Sequence, residues 1–333
     1  MSIPVIAFCN NKGGVGKTSL VYHIAWMCSE LGVPALAADL DPQANLTAAF
    51  LPEDRLEELW PASGLAQTVF GSVQPLIRGV GDISDPHIEH IQDNLGLLPG
   101  DLSLATFEDQ LSTAWGECVD GQERGFRAVS AFWRIMQRGA DAISASVVLL
   151  DLGPSLGAIN RCALVSSDFV VVPLAPDLFS QRGLMNLGPT IKSWRQQWRD
   201  RMIRKPALGP ELPSGSIVPL GYIVQQHAVR LGRVVKAYDR WISQIPGVYG
   251  SFVLDTPSQP GLFASEDENC LGFVKHFHSL MPLAQEARKP VFLLRAADGA
   301  LGAHQSAVTT AYHDFRLLTN TILSRAGIPT ASK

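Results

Sequence analysis

Residues 9–20 read CNNKGGVGKTSL. Ahead of them, residues 3–9 (IPVIAFC) form a short apolar run bounded by polar residues, which predicts a buried strand. Behind them, residues 18–31 carry apolar side chains at helical spacing and stop at Gly32, a helix-ending glycine. A glycine-rich turn between a strand and a helix has a specific physical use. Glycines let backbone N–H groups converge without Cβ clashes, and the helix N-terminus adds partial positive charge. The result is a cradle for phosphate. Its candidate nucleotide-binding residues are Lys12, Gly13, Gly14, Val15, Gly16, Lys17, Thr18 and Ser19. Lys17 can reach β- and γ-phosphate oxygens, and the Thr18 hydroxyl can ligate Mg²⁺. The strict pattern GxxxxGK[ST] is not met, because Asn11 stands where its first glycine belongs. Lys12 is then the residue to explain: one nucleotide needs one lysine at the end of its loop, and a second stands here at the start.

The rest of the chain repeats strand, loop and helix. PALAAD (34–39), LGLLPGD (95–101), ASVVLLD (145–151), DFVVVPLAP (168–176) and SIVPLGYIV (216–224) read as further buried strands, and KPVFLL (289–294) as a candidate seventh. Continuous apolar strands alternating with helices predict an α/β fold: a mostly parallel twisted sheet with helices on both faces, in one domain over 1–333. Segments 52–94 and 241–282 read as irregular, with a loop over 255–269 inside the second. Ligands of such sheets bind at the carboxyl ends of the strands. Lys17, Asp41 and Asp151 all fall just after strands.

The ordered motifs identify a resemblance. KGGVGKT (12–18) resembles the deviant Walker A motif of the ParA/MinD family of P-loop NTPases. ADLDPQANLT (38–47) resembles the family's second motif, VVLLDLGPSLG (147–157) its Walker B strand and switch, and VVPLAPDLFSQRGL (171–184) the next strand and loop. LAQEARKPVF (283–292) and AVTTAYHDFRLLTNTIL (307–323) resemble its carboxyl end, so the likeness spans nearly the whole chain. DLDPQ and GPSLG resemble the ParA-type partition ATPases more than MinD.

The resemblance implies a slow ATPase that dimerises on Mg-ATP. In this family the early lysine contacts the phosphates of the nucleotide in the other subunit, a role that falls here to Lys12. Charge supports that placement independently. Two Mg-triphosphate sites face to face carry net negative charge and need cations between them. The bland alternative is a Lys12 that stays near its own loop. Asp151 ends an apolar strand, where a Walker B carboxylate holds Mg²⁺ through water. By family position Asp41 orients the attacking water, and Asp39 supports Mg²⁺ and Lys17; their spacing alone also fits an Asx-type turn at a strand end. The candidate catalytic residues are Lys12, Lys17 and Asp41, and the candidate metal set is Thr18, Asp39 and Asp151. Pro176, Asp177 and the segment at Gln225 and Gln226 lie near the adenine pocket by the same analogy. Arg161 and Arg182 are placed near the site by position only, so no arginine finger is readable, and turnover is expected to need a partner's stimulation.

Two basic stretches bear on partners. In PTIKSWRQQWRDRMIRK (189–205), with Pro189 in a first helical turn, Ile191, Trp194, Trp198 and Met202 make a stripe at helical spacing. Lys192, Arg195 and Arg199 flank it. In 229–241 the cations are Arg230, Arg233, Lys236 and Arg240. Their functional reading is sequence-independent contact with DNA phosphates; the plain reading is a solvated basic face. Net charge is −4, so the molecule as a whole does not advertise nucleic acid. The 46% hydrophobic and 17% charged fractions are those of a globular chain with a substantial core. Five scattered cysteines show no zinc spacing, no apolar run is long enough for a bilayer, and the tail LSRAGIPTASK lacks an amphipathic membrane face. The expectation is a cytoplasmic ATPase, nucleoid-associated when ATP-bound, without a helix-turn-helix domain ahead of the loop and with a ParB-like activator. The alternatives are an ATP-switched scaffold that recruits a protein without DNA, and a metal-cofactor or electron-transfer ATPase.

Overall fold

The computed structural model describes residues 2–61, 66–226, 240–256, 261–277 and 279–330. Its frame is an eight-stranded sheet: β1 (Val5–Phe8), β2 (Ala35–Asp39), β3 (Glu89–Gln92), β4 (Leu95–Leu98), β5 (Val147–Asp151), β6 (Phe169–Leu174), β7 (Val218–Gln226) and β8 (Cys270–Lys275). Their order is β3-β4-β2-β5-β1-β6-β7-β8. All neighbours are parallel except β3 and β4. Among the described residues the helices are α1 (Lys17–Glu30), α2 (Asn45–Phe50), α3 (Glu53–Leu59), α4 (Val69–Ile77), α5 (Glu108–Glu117), α6 (Glu123–Val129), α7 (Ala131–Ala142), α8 (Ala158–Val165), α9 (Leu178–Met202), α10 (Ile245–Tyr249), α11 (Leu280–Ala287) and α12 (Ala303–Arg325).

The strands read as continuous apolar runs because both faces are covered. Along β1, Val5 and Ala7 enter one core with residues of α4 to α10, while Ile6 and Phe8 enter the other with α1, α2, α3, α11 and α12. Strand alternation thus feeds two cores from one segment. The chain runs from β1 through α1 to β2, yet β5 lies between those strands. This reversal of strand order opens a crevice at the carboxyl ends. Register levels those ends: Phe8 and Asp39 both pair with Asp151.

Three expectations need correction. The segments read as irregular contain β3 and β8, the two edge strands; the short helices Glu53–Leu59 and Val69–Ile77 in the first agree with its reading as short helices at the rim. β3 (EHIQ) is half-buried and polar, so it lacks an apolar run. KPVFLL is not a strand. Val291–Leu293 form a 3₁₀ turn, and the Val291 N–H donates to His23 Nε2 at 3.2 Å, which ties the segment to α1. The helix expected from Pro189 begins at Leu178, with Pro189 inside it. The missing N–H of Pro189 costs one helical bond, which the packing of Leu184, Leu187, Ile191, Trp194 and Trp198 into the core offsets.

Candidate active site

The loop after β1 is shaped by two glycines in the left-handed region, Gly14 at φ 72° and Gly16 at φ 73°. Gly16 is the N-cap of α1 and supplies no side-chain acceptor, so the first amides of the helix remain available to an anion. A Cβ at Gly16 would lie 2.8 Å from Gln225 Nε2, so the end of β7 lies close over the loop. Asn10 fixes the loop's start: its Nδ2 donates to the Pro173 carbonyl at 2.6 Å, and its Oδ1 accepts from the Lys12 amide at 3.0 Å. Lys17 is only 7% exposed. Its ammonium donates to the Lys12 carbonyl at 3.3 Å. Burial pulls its pKa down, against the opposing pull of Asp151, Cys9 and Asp41.

Of the three acids, Asp151 at the end of β5 and Asp41 just after β2 act on that ammonium, and Asp39 ends β2. Asp39, fully buried, accepts from the Thr47 amide and hydroxyl, each at 2.8 Å, and from the Asp41 amide at 3.2 Å. Burial raises its pKa to about 7 despite the Thr47 bonds. Asp41 Oδ1 in turn accepts from the Gln43 amide at 3.0 Å. The Asx-type turn is therefore present, and it does not compete with a functional role: it pins both carboxylates beside the loop. A Cβ at Gly153 would come within 3.0 Å of Asp41 Oδ1, which brings the turn after β5 against Asp41.

Asp151 is the outlier. Both its oxygens are buried and make no hydrogen bond of ordinary geometry. Burial, Asp39 and Asp41 raise its pKa well above the carboxylate range, while the nearby Thr18 hydroxyl and Lys17 pull it down. A buried carboxylate without a satisfied oxygen is expensive, and a divalent cation at that position would remove the cost. Among the described residues no group of three or more His, Cys, Asp or Glu side chains is arranged to hold a metal alone. Mg²⁺ does not need one, since it keeps waters and takes phosphate oxygens. Thr18 and Asp151 fit such an ion; the oxygens of Asp39 are already committed to the turn.

Lys12 pairs with Asp177 of its own chain, and its ammonium lies 5.9 Å from the centre of the Phe179 ring. Asp177 is also the N-cap of α9, its Oδ1 accepting from the Ser180 amide at 2.8 Å. Pro176 and Asp177 were expected near the adenine pocket; Asp177 has these two tasks within its own chain. The cleft beside the loop, about 160 Å³, is lined by Gly16, Ser19, Gln225, Lys275, His276 and Phe277 among others, with neither Pro176 nor Asp177 among them. Gln225 lines this cleft together with the end of β8, a strand that lay in a segment read as irregular. A second cavity of about 450 Å³ opens from Thr18 and Ser19 between α1, α2 and α11, with Tyr22, Asn45, Gln285 and Arg288 in its walls.

On α9 the buried stripe is Ile191, Trp194 and Trp198, with Met202 half-buried. Of the flanking cations Arg199 is exposed, Arg195 half-buried, and Lys192 paired with Asp255. Arg201 points inward, donating to the Trp115 carbonyl at 2.9 Å and lying 4.2 Å from its ring centre. Arg230, Arg233 and Lys236 lie outside the described residues. Arg161 sits 4.7 Å over the Trp115 ring, and Arg182 is exposed. All five cysteines are free thiols. Among the described residues no helix is long and apolar enough to cross a membrane.

Comparison with known proteins identifies the family and the fold. The sequence model of the AAA domain family AAA_31 matches residues 3–203. The chromosome partitioning protein ParA of Caulobacter vibrioides is 26% identical over 60% of the chain and 66% of its own length. The sporulation initiation inhibitor protein Soj of Bacillus subtilis is 28% identical over 56% of the chain and 64% of its own length. The chain thus spans less than two thirds of either relative. Among solved structures, the Cyanothece McdA(D38A)–ATP complex superposes with a TM-score of 0.65 at 13% identity, covering 100% of this chain and 99% of that one, a likeness of fold. The chain belongs to the AAA domain family, as a ParA-type P-loop NTPase.

Proposed function

We propose that the protein is an ATP hydrolase that dimerises on Mg-ATP, binds DNA non-specifically as that dimer, and releases it on hydrolysis, in the partition or positioning of a cargo. One observation carries the reading: a free helix N-terminus, the desolvated Lys17 ammonium and the unsatisfied Asp151 carboxylate meet at the levelled ends of β1, β2 and β5. Triphosphate repairs both electrostatic defects at once. It gives Lys17 an anionic partner and brings the cation that Asp151 lacks.

The amides of residues 13–19 and Lys17 bind and orient the phosphates, and Lys17 offsets charge on the γ-phosphoryl group as it transfers. Thr18 and Asp151 would hold Mg²⁺, whose charge neutralises the phosphate oxygens. Asp41, held by the turn over Asp39, orients the water for in-line attack, giving ADP and phosphate. Lys12 contributes its ammonium to the nucleotide of the partner. The cleft at Gln225, Lys275 and Phe277 suits the base. Because the sequence carries no readable arginine finger, turnover is proposed to be slow and to depend on a ParB-like activator.

Phosphate release from Mg-ATP tests the assignment, read beside calorimetric ATP binding. Asp41→Ala should keep ATP binding and lose phosphate release at least a hundredfold; hydrolysis at the wild-type rate would remove Asp41 from the reaction. One observation favours the second reading, an ATP-switched scaffold without DNA: Lys192 is paired and Arg201 is turned inward. A dimer that forms with ATP and ignores DNA at low salt would select it.

A further inference from the structure

Asp177 stands at the junction of two parts that the proposed cycle must couple. Its carboxylate pairs with the Lys12 ammonium across 165 positions of sequence, and it caps the first turn of α9 through the Ser180 amide at 2.8 Å. The pair is partly open to solvent, with the Lys12 side chain 29% and the Asp177 side chain 35% exposed. Beside it Phe179 is 71% exposed and Leu178 44%. Lys12 is therefore not idle in the unpaired chain; a carboxylate of its own protomer already occupies it. An ammonium held by one anion must leave it, at least in part, to serve another. The loop alone would not hold it back, since Asn10 fixes only the Lys12 backbone.

We infer that Asp177 is a positioning residue for Lys12: it retains the ammonium in cis in the unpaired protomer and so sets how much triphosphate is needed before Lys12 commits to a facing subunit. The inference rests on the trans role of Lys12 proposed above. It also assigns a cost of known scale. A partly exposed ion pair is worth roughly a two- to five-fold factor, and a two-fold dimer must open two of them. Removing the charge at 177 should therefore tighten the ATP-dependent dimer by about tenfold. Ser180 Oγ accepts from the Ala175 amide at 3.1 Å, so the chain reversal before α9 has a support of its own when the pair opens.

Asp177→Asn is the informative variant, because asparagine remains a good N-cap while losing the charge. Two measurements separate this inference from the dimer reading. The first is the rate of Lys12 acetylation by an N-hydroxysuccinimide ester, with no nucleotide present, followed by peptide mass spectrometry against the exposed Lys205 as internal reference. Lys12 should react about threefold faster in Asp177→Asn, and Asp177→Glu should restore the wild-type rate. Equal rates in wild type and Asp177→Asn would overturn the inference, whatever the dimer does. The second is the dimer dissociation constant in saturating Mg-ATP by analytical ultracentrifugation. Asp177→Asn should lower it about tenfold, and Lys12→Ala should abolish the dimer in either background. A dimer no tighter than wild type would overturn the restraint. Absence of any ATP dimer in the wild type, with the acetylation difference intact, would instead locate the failure in the trans role of Lys12.

Discussion

Asp39 shows how a residue can be legible in type and opaque in role. Its place at the end of an apolar strand, beside a phosphate loop, marked it as a functional acid. Its three accepted hydrogen bonds come from Thr47 and Asp41, and they depend on how residues 40–47 turn back over the sheet. Spacing could not report that. The consequence is measurable. Burial raises the folded pKa of Asp39 to about 7 from the ordinary 3.8, so the folded chain binds this proton more tightly than the unfolded one. The associated stability is present below about pH 4 and is lost as pH rises toward 7. Without nucleotide, the melting temperature of wild type relative to Asp39→Asn should fall across pH 4 to 7, read by calorimetry at matched ionic strength. A difference independent of pH would mean that Asp39 is ionised throughout. Lys12 was legible in the same partial way: the sequence singled it out as surplus to one nucleotide, but its cis partner Asp177 lies 165 positions away and was assigned to another task.

At the scale of elements, what could be read was whatever is buried on both faces. β1, β2, β4, β5, β6 and β7 announced themselves as apolar runs. β3 did not because it is polar, and β8 did not because it is only partly buried and follows a stretch read as loop; β8 brought Lys275, His276 and Phe277 to the cleft beside the loop unannounced. α9 was read only from Pro189 onward. A proline is most at home in a first helical turn, and here it is carried inside a 25-residue helix whose packing overrides local preference. The tryptophan stripe on that helix was correctly placed, and the cations beside it were not all free. Of the candidate DNA-contacting cations on α9, half-buried Arg195 and exposed Arg199 remain. If they contact phosphates, Arg195→Ala with Arg199→Ala removes about four contacts from a dimer, and the slope of log affinity against log salt should fall by roughly 3 to 4. DNA retention with unchanged slope, measured by fluorescence anisotropy on a random duplex, would place the DNA face elsewhere.

The whole molecule is one sheet with its chemistry gathered where strand order reverses, between β1, β2 and β5. That architecture follows from the alternation of buried strands and helices, and it was legible. The state of assembly is different in kind. In the proposed function the charge balance over two triphosphates belongs to a pair of chains, each of which would give Lys12 to its neighbour. The Asp41→Ala protein, expected to retain ATP unhydrolysed, isolates the question. Size-exclusion chromatography with light scattering should find it a dimer in Mg-ATP and a monomer in Mg-ADP, and a monomer in both once Lys12→Ala is added. An ATP-loaded protein that elutes as a monomer, or a dimer indifferent to Lys12, would contradict the account at its centre.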